Sequence, residues 1–213
     1  MWYSRDTFQN LFTAARLRLA GIANNVGGAY ALSKLPDVEL FLTDLGKRCA
    51  VERRVAFALR DAARLRRPVI LVTHSLGSLT TYSYLEEHNP NAEYPPFDVR
   101  HIISFGSMLS VPEVYQAILG SRVKPPIPWP EQVREWTNIR DPLDALAFPY
   151  NRLMSLDSAG VGRSSEIVID TSPGLRGAHD AAHYLEHPTV AGVILAAWCD
   201  AQPTAAGRIP GCI

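Results

Sequence analysis

The segment Thr73-His74-Ser75-Leu76-Gly77 places a serine directly after the apolar run Val69-Ile70-Leu71-Val72 and directly before a helical stretch ending near His88. A serine hydroxyl is a weak nucleophile at neutral pH, so using it in chemistry requires a base beside it, an acid behind the base and donors for the developing oxyanion. A tight turn from strand to helix supplies part of that geometry. It exposes the serine and directs the N–H of the next residue, Leu76, toward the oxyanion, and it needs small neighbours such as Gly77 and Ser78. Thr73 is bulkier than the glycine such a turn usually carries. The structural alternative is a serine that only caps the following helix. Aspartates and histidines later in the chain, in the order Ser, Asp, His, favour acyl transfer: cleavage of an ester, thioester or amide through an acyl-enzyme.

The acid is sought after Glu135-Trp136-Thr137-Asn138-Ile139, where Arg140-Asp141-Pro142-Leu143-Asp144 leaves a strand. Catalytic groups in open α/β sheets gather at the carboxyl ends of strands. Asp141 precedes a proline and suits a turn in which its side chain accepts a backbone N–H, leaving Asp144 free to reach the base. Asp144 is therefore preferred and Asp141 kept as the alternative. For the base, His179 lies in a glycine-containing loop beyond the last strand and is preferred over His183, which would share its face if the segment were helical. His74 is expected to pack beside the turn. His88, His101 and His187 have no supporting pattern.

These groups need elements to hold them. Apolar residues at helical spacing predict helices over 8–23 and 49–65, the second with Val51, Val55, Ala58, Leu59 and Ala62 on a face that should pack on a sheet. Asn24 to Gly28 reads as a turn, and Asp37 to Leu45 fits a helix slightly better than a strand. Val69 to Val72 reads as a strand covered on both faces. Further strands are expected over 99–105, 133–139 and 166–170, and a last helix from Pro188 to about Cys199. Segment 108–129 would form a wall over an acyl site or an ordinary helix covering the sheet, and its proline-rich end, 124–130, reads as a stiff loop. Strands alternating with helices predict an α/β fold, a mostly parallel sheet with flanking helices in three layers, behind a helical N-terminal part.

The 213 residues, 47% of them apolar, suit one domain: a helical portion over 1–66, a catalytic core over 67–200 and a tail over 201–213. The 21 basic and 21 acidic residues cancel, which argues against nucleic acid and for a small-molecule acyl substrate. Cys49, Cys199 and Cys212 cannot all pair and lack metal-ligand spacing, which favours a reducing, cytoplasmic setting. The N-terminus does not read as a signal peptide, and no apolar run approaches the roughly 20 residues of a membrane span.

The run from Val69 through Leu79, the segment from Asn138 to Asp144 and the segment from His179 to Leu185 together resemble the α/β-hydrolase superfamily, in its bacterial serine esterase and lipase-like branch. The likeness covers residues 67–198. It implies a nucleophile at Ser75, an acid at Asp144, a base at His179, and a hydrolase that needs no metal or organic cofactor.

The superfamily also carries a His-Gly type loop before the nucleophile that donates a second oxyanion N–H. The sequence shows none, because Gly27-Gly28 follows a helical pattern. The strand that should flank Val69 to Val72 is missing as well, leaving an apolar edge open to pairing. Two expectations follow: strands upstream of Met1 in the native protein, or an edge covered by a second copy or by the N-terminal helices. The competing functions are a fold-retaining binding protein without activity and an acyltransferase using the same triad.

Overall fold

The computed structural model describes residues 28–87, 98–150, 153–154, 162–171 and 177–201, with side chains from residue 36 onward. The expected helix over 8–23, most of the turn after it, Asn89-Pro90-Asn91 and nearly all of the tail lie outside these residues. Two helices come first, α1 (Gly28–Thr43) and α2 (Leu45–Arg64), and then β1 (Val69–His74), α3 (Leu76–Glu87), β2 (Val99–Phe105), α4 (Pro112–Leu119), β3 (Val133–Arg140), β4 (Arg163–Val168), α5 (Ala181–Glu186) and α6 (Pro188–Ala201). The four strands form one parallel sheet in the order β1-β2-β3-β4.

Alternation along the strands sorts their side chains into two cores. Ile102 and Trp136 point into a larger core with Phe41 of α1, Leu59 of α2, Leu79 and Tyr82 of α3 and Tyr115 of α4. Ile103, Phe105 and Ile139 face the other way, against Tyr184 of α5 and Val190 and Ala197 of α6. Helices on both faces of a parallel sheet make three layers. Trp136 is fully buried, and truncating such a side chain to alanine typically costs about 3–5 kcal/mol.

Several sequence expectations change. The ambiguous segment Asp37 to Leu45 is helical through Thr43, because Val38, Phe41 and Leu42 fall on one buried stripe. Asp44 then starts α2 by accepting the Lys47 N–H at 3.0 Å, which places that helix a turn earlier than the apolar pattern indicated. The inward face of α2 is also not the expected one. Val51 and Ala58 are exposed, whereas Arg48, Glu52, Ala56, Leu59 and Ala63 are buried, and the helix packs chiefly on α1 and α3 instead of on the sheet. The two charges survive burial because they are bonded. Arg48 Nε donates to Glu52 Oε1 at 3.1 Å, Ser83 Oγ donates to the same oxygen at 2.6 Å, and Arg48 Nη2 reaches Ser83 and Glu87. An apolar pattern cannot show such a stripe.

β1 lies at one edge of the described sheet, as the missing flanking strand implied, but it is not covered on both faces as expected, since Val72 is 42% exposed; the strand buried throughout its apolar positions is β2. β4, the other edge, begins at Arg163, three residues earlier than expected, since Arg163, Ser164 and Ser165 carry no apolar signal yet pair with Glu135, Trp136 and Thr137. α4 contributes Val114 and Tyr115 to the larger core and covers the sheet. The proline-rich loop is tied in by the Tyr82 hydroxyl, which donates to Pro128 O at 3.0 Å, and by Trp129 Nε1, which donates to Val133 O at 2.7 Å. Cys199 is disulfide-bonded and Cys49 is free and exposed, so the expectation of reduced cysteines fails at Cys199. No described helix is long and apolar enough to cross a membrane.

Candidate active site

β1 runs into Ser75, which takes φ of 51°, and α3 starts at the next residue. A residue with a Cβ rarely adopts this left-handed conformation, which costs of order 1–3 kcal/mol and persists only where the surroundings enforce it. Here the Ser75 N–H donates to Phe105 O at 3.1 Å, fixing the turn to β2, and Ser75 O accepts the Ser78 N–H at 3.0 Å, joining it to the helix. Thr73, the bulky residue before the turn, fits. A Cβ placed on Gly77 would stand 3.9 Å from the Thr73 Cβ, an ordinary contact, and the Thr73 hydroxyl lies 3.1 Å from that of Ser78. Strand end and helix start are thereby bonded to each other.

The loop after β3 brings in the aspartates. Asp141 Oδ1 accepts the Leu143 N–H at 2.7 Å, while its Oδ2 accepts the Thr171 N–H at 2.8 Å and the Thr171 hydroxyl at 2.6 Å. Asp141 therefore holds the turn and joins it to the segment after β4. Asp144 follows, its N–H donating to Asp141 O at 3.0 Å. The far end of the loop is anchored by Asn138 Nδ2, which donates to Phe148 O at 3.0 Å, and by the Phe148 N–H, which donates to Ser107 O at 2.8 Å.

His179 sits in the turn that begins at Gly177, just before Asp180 starts α5 by accepting the Ala182 N–H. Its Nδ1 lies 3.0 and 2.9 Å from the two oxygens of Asp144, and its Nε2 lies 2.9 Å from Ser75 Oγ. His179 and Asp144 are 5% and 4% exposed, whereas Ser75 remains partly open. With Asp144 ionised, the aspartate receives the Nδ1 proton, so Nε2 becomes an acceptor for the serine hydroxyl. The structure thus brings Ser75, His179 and Asp144 into one hydrogen-bonded chain. Asp141 and His183 remain outside it, the latter half-buried on α5.

His74 packs on this chain as expected, its ring centroid 4.7 Å from that of His179 and 5.4 Å from Phe105. Its Nε2 is buried without a hydrogen-bond partner. Burial, and secondly the nearby His179, push its pKa down to about 4, partly opposed by Asp144 and by a hydrogen bond to the His179 backbone. Of the other histidines, His101 bonds Thr137 on the neighbouring strand and His187 Nδ1 accepts the Thr189 N–H, both away from Ser75.

Sequence reasoning missed two residues. Gly106, at the end of β2, has φ of 60°, and a Cβ there would stand 3.1 Å from Asp144 Oδ2 and from His179 Cε1 and Nδ1. Glycine is needed both for the backbone and for the closeness of the acid–base pair. Its signal was present: a glycine ending the strand beside the one that carries Ser75. Tyr184 is fully buried and its hydroxyl donates to Asp144 Oδ2 at 2.8 Å. Burial, and then the Asp144 carboxylate, raise its pKa well above the ordinary phenol value.

Leu76 opens α3, so its N–H is among the four at a helix start that have no intrahelical acceptor. The described elements before β1 are both helices. Among the described residues no group of three His, Cys, Asp or Glu side chains could hold a metal ion. No protein-family model, curated protein or solved structure matches the chain.

Proposed function

We propose that the protein is a serine hydrolase of α/β-hydrolase type that cleaves an ester, thioester or amide through an acyl-enzyme. The observation that carries this reading is the Ser75–His179–Asp144 hydrogen-bonded chain at the carboxyl ends of parallel strands, with Ser75 in a left-handed turn between β1 and α3. A serine that only capped α3 would need neither the strained φ nor a buried imidazole on its hydroxyl.

In this reading Ser75 Oγ attacks the acyl carbon while His179 Nε2 takes its proton. Asp144 orients the imidazole and stabilises the imidazolium, and the Leu76 N–H helps hold the oxyanion. The imidazolium then returns its proton to the leaving group. A water activated by the same histidine attacks the acyl-serine and releases the acid. The second oxyanion donor has no assignment among the described residues.

The test is a burst experiment with p-nitrophenyl butyrate. Stopped-flow should show rapid release of p-nitrophenolate with an amplitude set by the enzyme concentration, and mass spectrometry of the quenched protein should find butyryl on the Ser75 peptide. A steady rate unchanged by Ser75→Ala would defeat the reading.

A further inference from the structure

Tyr184 contributes no group to the reaction described above, yet its hydroxyl touches the candidate acid directly. That hydroxyl accepts the Asp141 N–H at 3.1 Å, so its single proton is committed to Asp144 Oδ2 at 2.8 Å. The direction of the bond is therefore fixed. The ring is fully buried and stacked on Phe105, with centroids 5.1 Å apart and planes 23° apart, which leaves the hydroxyl little freedom to leave its position. The Asp144 side chain is wholly shielded from solvent and receives the Leu146 N–H on Oδ1 at 2.8 Å, His179 Nδ1 across both oxygens, and Tyr184 on Oδ2. Tyr184 and His179 are thus two side chains that bond that carboxylate directly.

We propose that Tyr184 is a positioning residue: its hydroxyl pins Asp144 Oδ2 so that the carboxylate faces His179 Nδ1 squarely, and by withdrawing charge from that oxygen it sets the proton affinity of His179. The proposal rests on the hydrolase reading for its consequence in turnover but not for its effect on His179. A donor to a carboxylate spreads its negative charge, so the carboxylate stabilises a neighbouring imidazolium less. Losing the donor should make His179 hold its proton to higher pH, and strengthening it should do the reverse. The titratable groups against His179 are Asp144 from the loop after β3 and His74 from the end of β1; Tyr184 reaches it only through Asp144, and Asp180 is the next residue in the chain, capping α5. Asp141 lies behind the Tyr184 hydroxyl and His183 sits further along α5. His74, at about 4, is already neutral across the range where an ordinary imidazole titrates.

The experiment is an NMR titration of the Cε1–H of His179 in folded, histidine-labelled protein, assigned by its loss in His179→Gln. Tyr184→Phe should raise the His179 midpoint. Placing 3-fluorotyrosine at position 184 keeps the shape and strengthens the donor, and should lower the midpoint. This second protein carries the test if the phenylalanine variant does not fold. In parallel, the acidic limb of Ser75 labelling by a fluorophosphonate should move with the NMR midpoint in both variants. A midpoint unchanged in either folded variant, or moved in the same direction by both, overturns the proposal, since a merely structural ring would not produce shifts of opposite sign. A wild-type protein that resists labelling while the midpoints still move apart supports the role of Tyr184 and defeats the hydrolase reading instead.

Discussion

His179 Nε2 lies 2.9 Å from Ser75 Oγ across a separation of 104 residues. That contact depends on two loops, one ending β3 and one preceding α5, meeting over the turn at the end of β1. Each loop is held by its own hydrogen bonds, so substitutions that spare the chemistry and substitutions that spare the scaffold should give different outcomes.

The two aspartates separate these outcomes. Asp144→Asn keeps the shape but removes the charge behind His179 and favours the wrong tautomer, so ester turnover should fall about 10³- to 10⁴-fold while the protein stays folded. Asp141→Asn weakens three hydrogen bonds that hold the loop, so it should lower stability by about 1–3 kcal/mol. Denaturant melts run beside p-nitrophenyl ester kinetics check both. If Asp141→Asn abolished activity at unchanged stability, the roles would be reversed.

Gly106→Ala puts a Cβ at φ of 60° and 3.1 Å from the acid and the base. The strain should cost about 1–2 kcal/mol, and the displaced imidazole should slow Ser75 labelling at least tenfold. A Gly120→Ala control also sits at positive φ but has open space around it. It should cost stability and leave the labelling rate alone.

Stability should depend on pH through groups of opposite sign. His74 is held down at about 4 against an ordinary 6.5, by burial and then by His179. The unfolded chain therefore takes up its proton first, and this contribution is full above 6.5 and is lost as pH falls toward 4. His101, also lowered chiefly by burial, acts with the same sign. Glu86 is pushed up to about 6 from 4.5, by burial and then by Glu131, so its contribution is present below 4.5 and is lost as pH rises through 6. Thermal melts between pH 4 and 7 should show a flatter rise of Tm with pH in His74→Phe and a steeper one in Glu86→Gln. Slopes untouched by both substitutions would contradict this account.

Much of the scaffold was legible because its signals are local. β2 shows as Val99, Ile102, Ile103 and Phe105 closed by Gly106-Ser107, α6 announces itself with Pro188, and the small residues after Ser75 mark a tight turn. What could not be read depends on contacts distant in sequence. The buried face of α2 hinges on Arg48 and Glu52 meeting Ser83, so its apolar periodicity pointed to the wrong stripe. β4 begins in polar residues, Arg163 to Ser165, whose place is set by pairing with Glu135, Trp136 and Thr137 and not by an apolar pattern. For the candidate site, the preference for Asp144 over Asp141 followed from turn chemistry, since a carboxylate that holds a turn is not free to hold a histidine. Tyr184 gave no comparable signal, and Gly106 showed only as a glycine ending β2. Their importance lies in distances to Asp144 and His179 that only the folded chain sets.

The central claim is that Ser75 is a nucleophile activated by His179. Labelling of the folded protein with a fluorophosphonate probe, followed by mass spectrometry, tests it most directly. The account predicts one adduct, on Ser75, that disappears in Ser75→Ala, forms at least 10³-fold more slowly in His179→Ala, and is lost when the protein is unfolded beforehand. No adduct on the folded wild-type protein, or equal labelling in Ser75→Ala, would contradict it.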